Sequence, residues 1–244
     1  MNLGFYLLIF EHVNQIGAQT GWGKWEFFVF LATTMLVNSL VQAFFMPNAQ
    51  QFSELIRQGS LDFALLKPID TQFLISLQRI EWSSFANFLA GAILLGVSLW
   101  KLATHPDDPV AISSISAILY PVYILCGVAI LYSLMISLAA TSIWLGRNQS
   151  LYNFWFYITN FSRYPMEIYR GGFWGDGLRI FFTFIIPVLV VVNVPARLLA
   201  QPLHPDPSLS LPLAVFAVCA TVGSLLASRW IFVRSLLSYR SASS

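Results

Sequence analysis

Long apolar runs alternate with short polar breaks along the whole chain, and the runs have the length that crosses a bilayer. A helix needs about 20 mostly apolar residues to span the hydrocarbon core, and the stretches 27–46, 82–100, 111–144 and 209–232 reach or approach that length. A fifth run, 180–194, is intensely apolar but short. It is interrupted by Pro187 and closed by Pro195, so it crosses only if flanking residues join it. At the N-terminus only residues 3–10 are continuously apolar before Glu11 and His12, which is half a span. The pattern predicts an all-α, polytopic integral membrane protein with about six transmembrane helices. The first reads either as a half span or as a span whose start lies upstream of Met1, and all belong to one domain over residues 1–244.

The polar breaks are of two kinds. In the segment 47–81, Phe52, Leu55, Ile56 and Gly59 follow helical spacing, with Glu54, Arg57 and Gln58 turned to the other face. Gly59 ends that helix, and Ser60 caps a second short one through Leu66, with Asp62 in its first turn. Pro68 pushes Lys67 out of helical geometry. A new cap at Asp70 and Thr71 opens an amphipathic helix carrying Phe73, Leu74, Leu77 and Ile80 into the next span. The expected shape is a broken helical elbow on the water side of spans two and three. It reads either as a docking handle or as an ordinary interfacial connector. The second region, 145–179, has Leu151, Phe154, Trp155, Ile158 and Phe161 on one helical face after Arg147, Asn148 and Gln149. It is expected at the cytoplasmic interface, lying flat or partly re-entering the bilayer.

Charge orients these elements. Placing 47–81, 145–179 and the C-terminus in the cytoplasm collects Arg57, Lys67, Arg79, Arg147, Arg163, Arg170, Arg179, Arg229, Arg234 and Arg240 there. Of the 13 basic residues only Lys24, Lys101 and Arg197 remain outside. Trp22, Trp25, Trp82, Trp100, Trp144 and Trp230 fall near span ends, where indoles anchor at the interface. With only 10% charged residues against 57% hydrophobic ones, the chain is far from soluble composition, and its net charge of +2 offers nothing to a nucleic acid.

No predicted span carries a central ionisable residue, which argues against a proton pump or voltage sensor. Thr34, Asn38 and Gln42 form a polar stripe at successive i+4 steps. They are candidates for lining a transport path or for hydrogen bonding between helices. Ala86, Ala90 and Gly91 read as a close helix contact. Motifs for hydrolysis and metal binding are lacking, and His12, His105 and His204 stand far apart. There is no phosphate-binding Gly-x-x-x-x-Gly-Lys-Ser/Thr loop, so the chain has no visible means of using ATP itself, and no catalytic residue, metal site or cofactor is expected.

The run from Arg57 to Pro68 (RQGSLDFALLKP) resembles the Gly-x-Leu-Asp-x-x-Leu-x-(Arg/Lys)-Pro element of bacterial ABC exporter permeases of type 2. The stretch 154–169 with Arg163, Tyr164 and Pro165 looks like the same branch, as do Ile185 to Pro187, Val194 to Ala196, Ile16 and Gly17, and Gly21 to Trp25. Family members carry further residues before the position of Met1, so by this likeness the chain looks N-terminally short. The resemblance implies the permease subunit of an exporter in a bacterial inner membrane with its C-terminus in the cytoplasm. It further implies two cytoplasmic ATP-binding subunits, and a second copy or a related permease beside it in membrane lipid. By the same likeness Glu54, Arg57, Gln58, Asp62 and Lys67 would contact the ATP-binding subunit, with Gly59 and Pro68 shaping the elbow. The alternative is a membrane scaffold that docks a cytoplasmic partner through the same elbow without transporting anything.

Overall fold

The structure is a computed structural model and describes residues 3–13, 21–105, 113–145, 149–200 and 207–239. The described residues form helices and turns with no strand. The helices are α1 (Leu3–His12), α2 (Lys24–Phe44), α3 (Met46–Arg57), α4 (Leu61–Leu65), α5 (Thr71–Ser76), α6 (Ser84–Ala103), α7 (Ser114–Ala140), α8 (Ser142–Leu145), α9 (Gln149–Asn160), α10 (Gly172–Ile180), α11 (Val188–Ala200) and α12 (Pro207–Leu237). Parts of the sequence pattern at Ile16 and Gly17, Arg147 and Asn148, Arg240 and His204 lie outside the described residues.

Four helical stretches are long and apolar enough to cross a membrane: Lys24–Arg57, Ser84–Ala103, Ser114–Trp144 and Pro212–Leu237. α2 is the central post. It is apolar on nearly every side and packs against α6, α7 and α11, which is how a helix without a polar face is accommodated. Thr33 on α2 meets the Tyr120 hydroxyl on α7 at 2.9 Å. α1 lies on the start of α2 through Phe10 and Tyr6 against Phe27. Its ten residues measure about 15 Å. Of the small residues on α6, Gly91 packs against Met35 and Ala32 of α2, whereas Ala86 and Ala90 are exposed.

The fifth passage differs from the expected one. α8 packs on α3 and α12, so residue 145 is at the elbow end of the bundle. Glu167, by contrast, is ion-paired with Arg197 and accepts a hydrogen bond from the Trp22 indole at 2.9 Å, at the far end. α9 and the 3₁₀ turn Phe161–Arg163, together about 22 Å long, therefore run the length of the bundle. The segment 145–179 does not stay at the cytoplasmic interface. Trp155, Ile158, Thr159 and Ser162 are buried on this passage, while Phe154 is exposed. Arg163 and Arg170 thereby move to the far end, Arg179 on the following helix α10 leaves the elbow side with them, and the bias of basic charge toward the elbow shrinks.

The short apolar run is a hairpin and not a span. α10 continues through a π-helical turn, Phe181–Ile185, and meets α11 at 86°. Pro187 explains the bend: it drives Ile186 to an extended backbone, φ −115° and ψ 90°, which ends the helix. Both arms return to the same end. Gly175 lies against the Tyr169 carbonyl, and Asn193 on α11 accepts the Met166 N–H at 2.9 Å. Pro195 does not close the run, because α11 continues through it to Ala200. Lacking an N–H, Pro195 leaves the Val191 carbonyl without its helical partner. Gly127 of α7 packs onto that carbonyl, and a Cβ there would sit 2.7 Å from the oxygen. Gly127→Ala is therefore expected to cost about 1–3 kcal/mol through overpacking. A lowered thermal midpoint of the purified chain is the readout.

Since α9 replaces 180–194 as the fifth passage, the parity of the chain is unchanged. The end of α12 lies beside the elbow, as the sequence predicted by another route.

Candidate functional site

The elbow at residues 46–83 is assembled from short helices held by side-chain clips. α3 continues α2 across Phe45, whose ring packs on Tyr132 at 4.6 Å. Gly59 takes φ +70°, a left-handed conformation that a Cβ disfavours, and so turns the chain out of α3. Ser60 precedes α4 but makes no side-chain cap, contrary to the sequence expectation. Asp70 does cap α5, accepting the Phe73 N–H at 3.0 Å. α5 ends at Ser76 rather than running on to Ile80.

Buried Asn48 closes the base of the elbow. It donates to the carbonyl of Arg79 at 2.8 Å and accepts the Arg79 N–H at 2.9 Å, while the Glu81 N–H reaches the Ala43 carbonyl at 2.8 Å. Phe52, Leu61 and Ile75 face inward, and Phe52 meets Phe232 of α12 with ring centres 5.7 Å apart. The inner side of the elbow thus belongs to the membrane domain's core.

A polar network then ties α5 to two spans. Arg229 of α12 donates to both oxygens of Asp70, at 3.0 and 2.5 Å, and to Gln72 Oε1 at 3.2 Å. Gln72 donates to the Tyr132 hydroxyl of α7 at 3.1 Å, and Ser76 meets the same hydroxyl at 2.8 Å. Nothing in the sequence pattern pairs Asp70 with Arg229, because 159 residues separate them. The Arg229 guanidinium first, and the Phe73 N–H second, hold the Asp70 carboxyl below its ordinary range. A depressed folded-state value means the stabilisation is complete above the unfolded carboxylate value, about 4, and is lost as pH falls through the lower folded one. The pair is about half exposed, so solvent screening limits it to about 1 kcal/mol. Asp70→Asn is expected to flatten this acid-side loss of stability, measured as the thermal midpoint from about pH 6 down to about pH 3.

The outer side of the elbow carries the expected polar residues and an apolar tip. Glu54, Arg57 and Gln58 form one cluster: Arg57 donates to Glu54 at 2.9 and 2.5 Å and Gln58 donates at 2.5 Å. The Arg57 side chain is 73% exposed, and hydrogen bonds from Arg57 and then Gln58 keep the Glu54 carboxyl below its usual range. Lys67 and Pro68 are exposed at the tip, Asp62 is half-buried beside Tyr239, and Gly59 is half-buried at the turn. Between them project Phe63 at 72%, Leu66 at 81% and Ile69 at 51% exposure. The sequence pattern placed a short helix here without assigning its apolar residues a side. α4 is too short to bury both sides, so Leu61 and Ala64 go inward and Phe63 and Leu66 outward.

The polar stripe on α2 lies away from the elbow. Thr34 is buried and donates to the Phe30 carbonyl, Asn38 donates to the Thr34 carbonyl, and Gln42 is half-buried. Thr34 and Asn38 thus bond their own helix. Trp22, expected as an interfacial anchor, is wholly buried with its indole on Glu167, whereas Trp82, Trp100, Trp144 and Trp230 are exposed as anchors should be. Cys126 and Cys219 are free, and Cys219 is exposed. Among the described residues no three His, Cys, Asp or Glu side chains converge to hold a metal ion.

A family model described as ABC-2 family transporter protein matches residues 1–243. No curated protein and no solved structure matches the chain.

Proposed function

Because the chain belongs to the ABC-2 transporter family, we propose that it is the permease subunit of an ATP-driven exporter, with hydrolysis on separate cytoplasmic subunits that seat on the elbow. The observation that carries this reading is the two-sided build of residues 46–83. One side is clamped to α7 and α12 by Tyr132 and Arg229, and the other offers Phe63, Leu66 and Ile69 beside Arg57, Gln58 and Lys67. An apolar tip ringed by polar side chains is how a protein partner is engaged, since desolvated apolar anchors carry most binding energy. Force applied there reaches two spans directly.

Two ATP-binding subunits and two permeases, identical or related, would complete the assembly in a bacterial inner membrane. The elbow and the C-terminus then face the cytoplasm. Glu54, Arg57, Gln58, Asp62 and Lys67 form the rim of the contact, and Gly59 and Pro68 set its angle. Half-buried Asn38 and Gln42 are assigned to the translocation path, with Thr34 buried behind them and α2 as its central post. An interior with few fixed charges suits an amphipathic or apolar cargo.

Purification of the tagged chain from its native membrane tests the assembly. The expected result is a co-purifying subunit with a Gly-Lys-Ser/Thr phosphate loop and ATPase activity in the complex. Recovery only with partners that lack a nucleotide site would favour the scaffold reading instead.

A further inference from the structure

α2 and α6 run antiparallel, and their far ends bring two ammonium groups to one pair of indoles. Lys24 Nζ lies 5.5 Å from the centre of the Trp25 ring; Lys101 Nζ lies 6.0 Å from the same ring and 4.9 Å from that of Trp100. Among the described residues neither lysine forms an ion pair. The neighbouring carboxylate, Glu26, is turned back onto the Gly23 N–H at 2.6 Å. Two positive charges thus stand at the depth where indoles mark the headgroup region.

A second feature of α6 leads up to them. Leu89, Ile93, Val97 and Trp100 are exposed at 62%, 68%, 43% and 61%, and their i+4, i+4, i+3 spacing puts them on one helical face that ends at Lys101. From Leu89 to Trp100 the track is about 17 Å long, close to the roughly 15 Å of one leaflet's share of the hydrocarbon core. An apolar protein helix would fill such a track without using the charges above it. A lipid with a negative headgroup uses both.

We infer that this face of α2 and α6 is a binding site for an anionic phospholipid in the leaflet opposite the elbow, its phosphate held between Lys24 and Lys101 and an acyl chain lying along Leu89, Ile93 and Val97. The indoles of Trp25 and Trp100 flank the headgroup. Net negative charge selects the ligand, because two ammonium groups gain little from a zwitterion whose own choline cation stands beside its phosphate. The site is independent of the elbow and of any nucleotide.

The test is native mass spectrometry of the full chain in mild detergent, titrated with dioleoyl phosphatidylglycerol or dioleoyl phosphatidylcholine. The wild type is expected to retain phosphatidylglycerol in preference. Each lysine contributes about fivefold, the ratio that corresponds to about 1 kcal/mol per cation near a lipid surface. The double variant Lys24→Gln with Lys101→Gln should lose the preference. The double variant to Arg should keep it, which separates lost charge from lost folding. A Gln variant that still retains phosphatidylglycerol over phosphatidylcholine as strongly as the wild type would overturn the site. Displacement of the lipid by excess inorganic phosphate would likewise overturn it, by marking a free-anion site, and so would a second copy of the chain occupying the face in place of lipid.

Discussion

Glu167→Ala is expected to destabilise the folded chain by about 3–5 kcal/mol, the effect of removing one partner from a buried ion pair. The Glu167 side chain is only 7% exposed and Arg197 20%, so the deletion removes the carboxylate facing that guanidinium in a place with little water. It also removes the carboxylate oxygen, Glu167 Oε2, to which the wholly buried Trp22 indole N–H donates. Three elements separate if this point fails: the start of α2, the turn Met166–Tyr169 and the returning arm α11. Glu167→Gln should fall between wild type and Ala, because the amide oxygen still accepts from Trp22 while the charge is gone. Denaturant titration of the purified chain reads the series. A Glu167→Ala variant as stable as wild type would remove the basis for placing residues 160–170 at the far end of the bundle.

The second large effect is at the tip of the elbow. Leu66→Asp and Phe63→Ala are each expected to weaken seating of an ATP-binding subunit by about 30-fold or more, the loss of a contact hot spot of about 2 kcal/mol. Both side chains are more than two-thirds exposed and touch no part of the core, so membrane insertion and thermal stability should be unchanged. Leu66→Asp acts twice: it removes the apolar anchor and leaves a carboxylate to be desolvated in the contact. ATP-driven export is then lost while the chain still folds, measured as transport by the reconstituted complex. Undiminished export by Leu66→Asp would show that the partner seats elsewhere.

How much of this was readable beforehand follows from how far each feature reaches along the chain. The long spans and the elbow were legible because apolar length and the Gly59, Pro68 and Asp70 punctuation are local signals. The fifth passage was misplaced because α9 and its 3₁₀ turn hold Asn160, Ser162 and Arg163, and a hydropathy reading ranks the purer run 180–194 above them. What decides the matter is a long-range contact, Glu167 with Trp22 and Arg197, that no window of sequence contains. The basic residues misled for the same reason, since Arg163, Arg170 and Arg179 were counted on the side that the wrong passage implied. At the elbow the polar rim was found and the apolar tip was not. Phe63 and Leu66 have the spacing of a buried face, and only the shortness of α4 turns them out.

The most direct measurement is photo-crosslinking from a benzophenone side chain placed at position 66 in the native membrane. The account predicts one dominant adduct, to a soluble subunit bearing a Gly-Lys-Ser/Thr phosphate loop, with a yield that changes when ATP is added. Adducts only to lipid, or only to a partner without a nucleotide site, would contradict it.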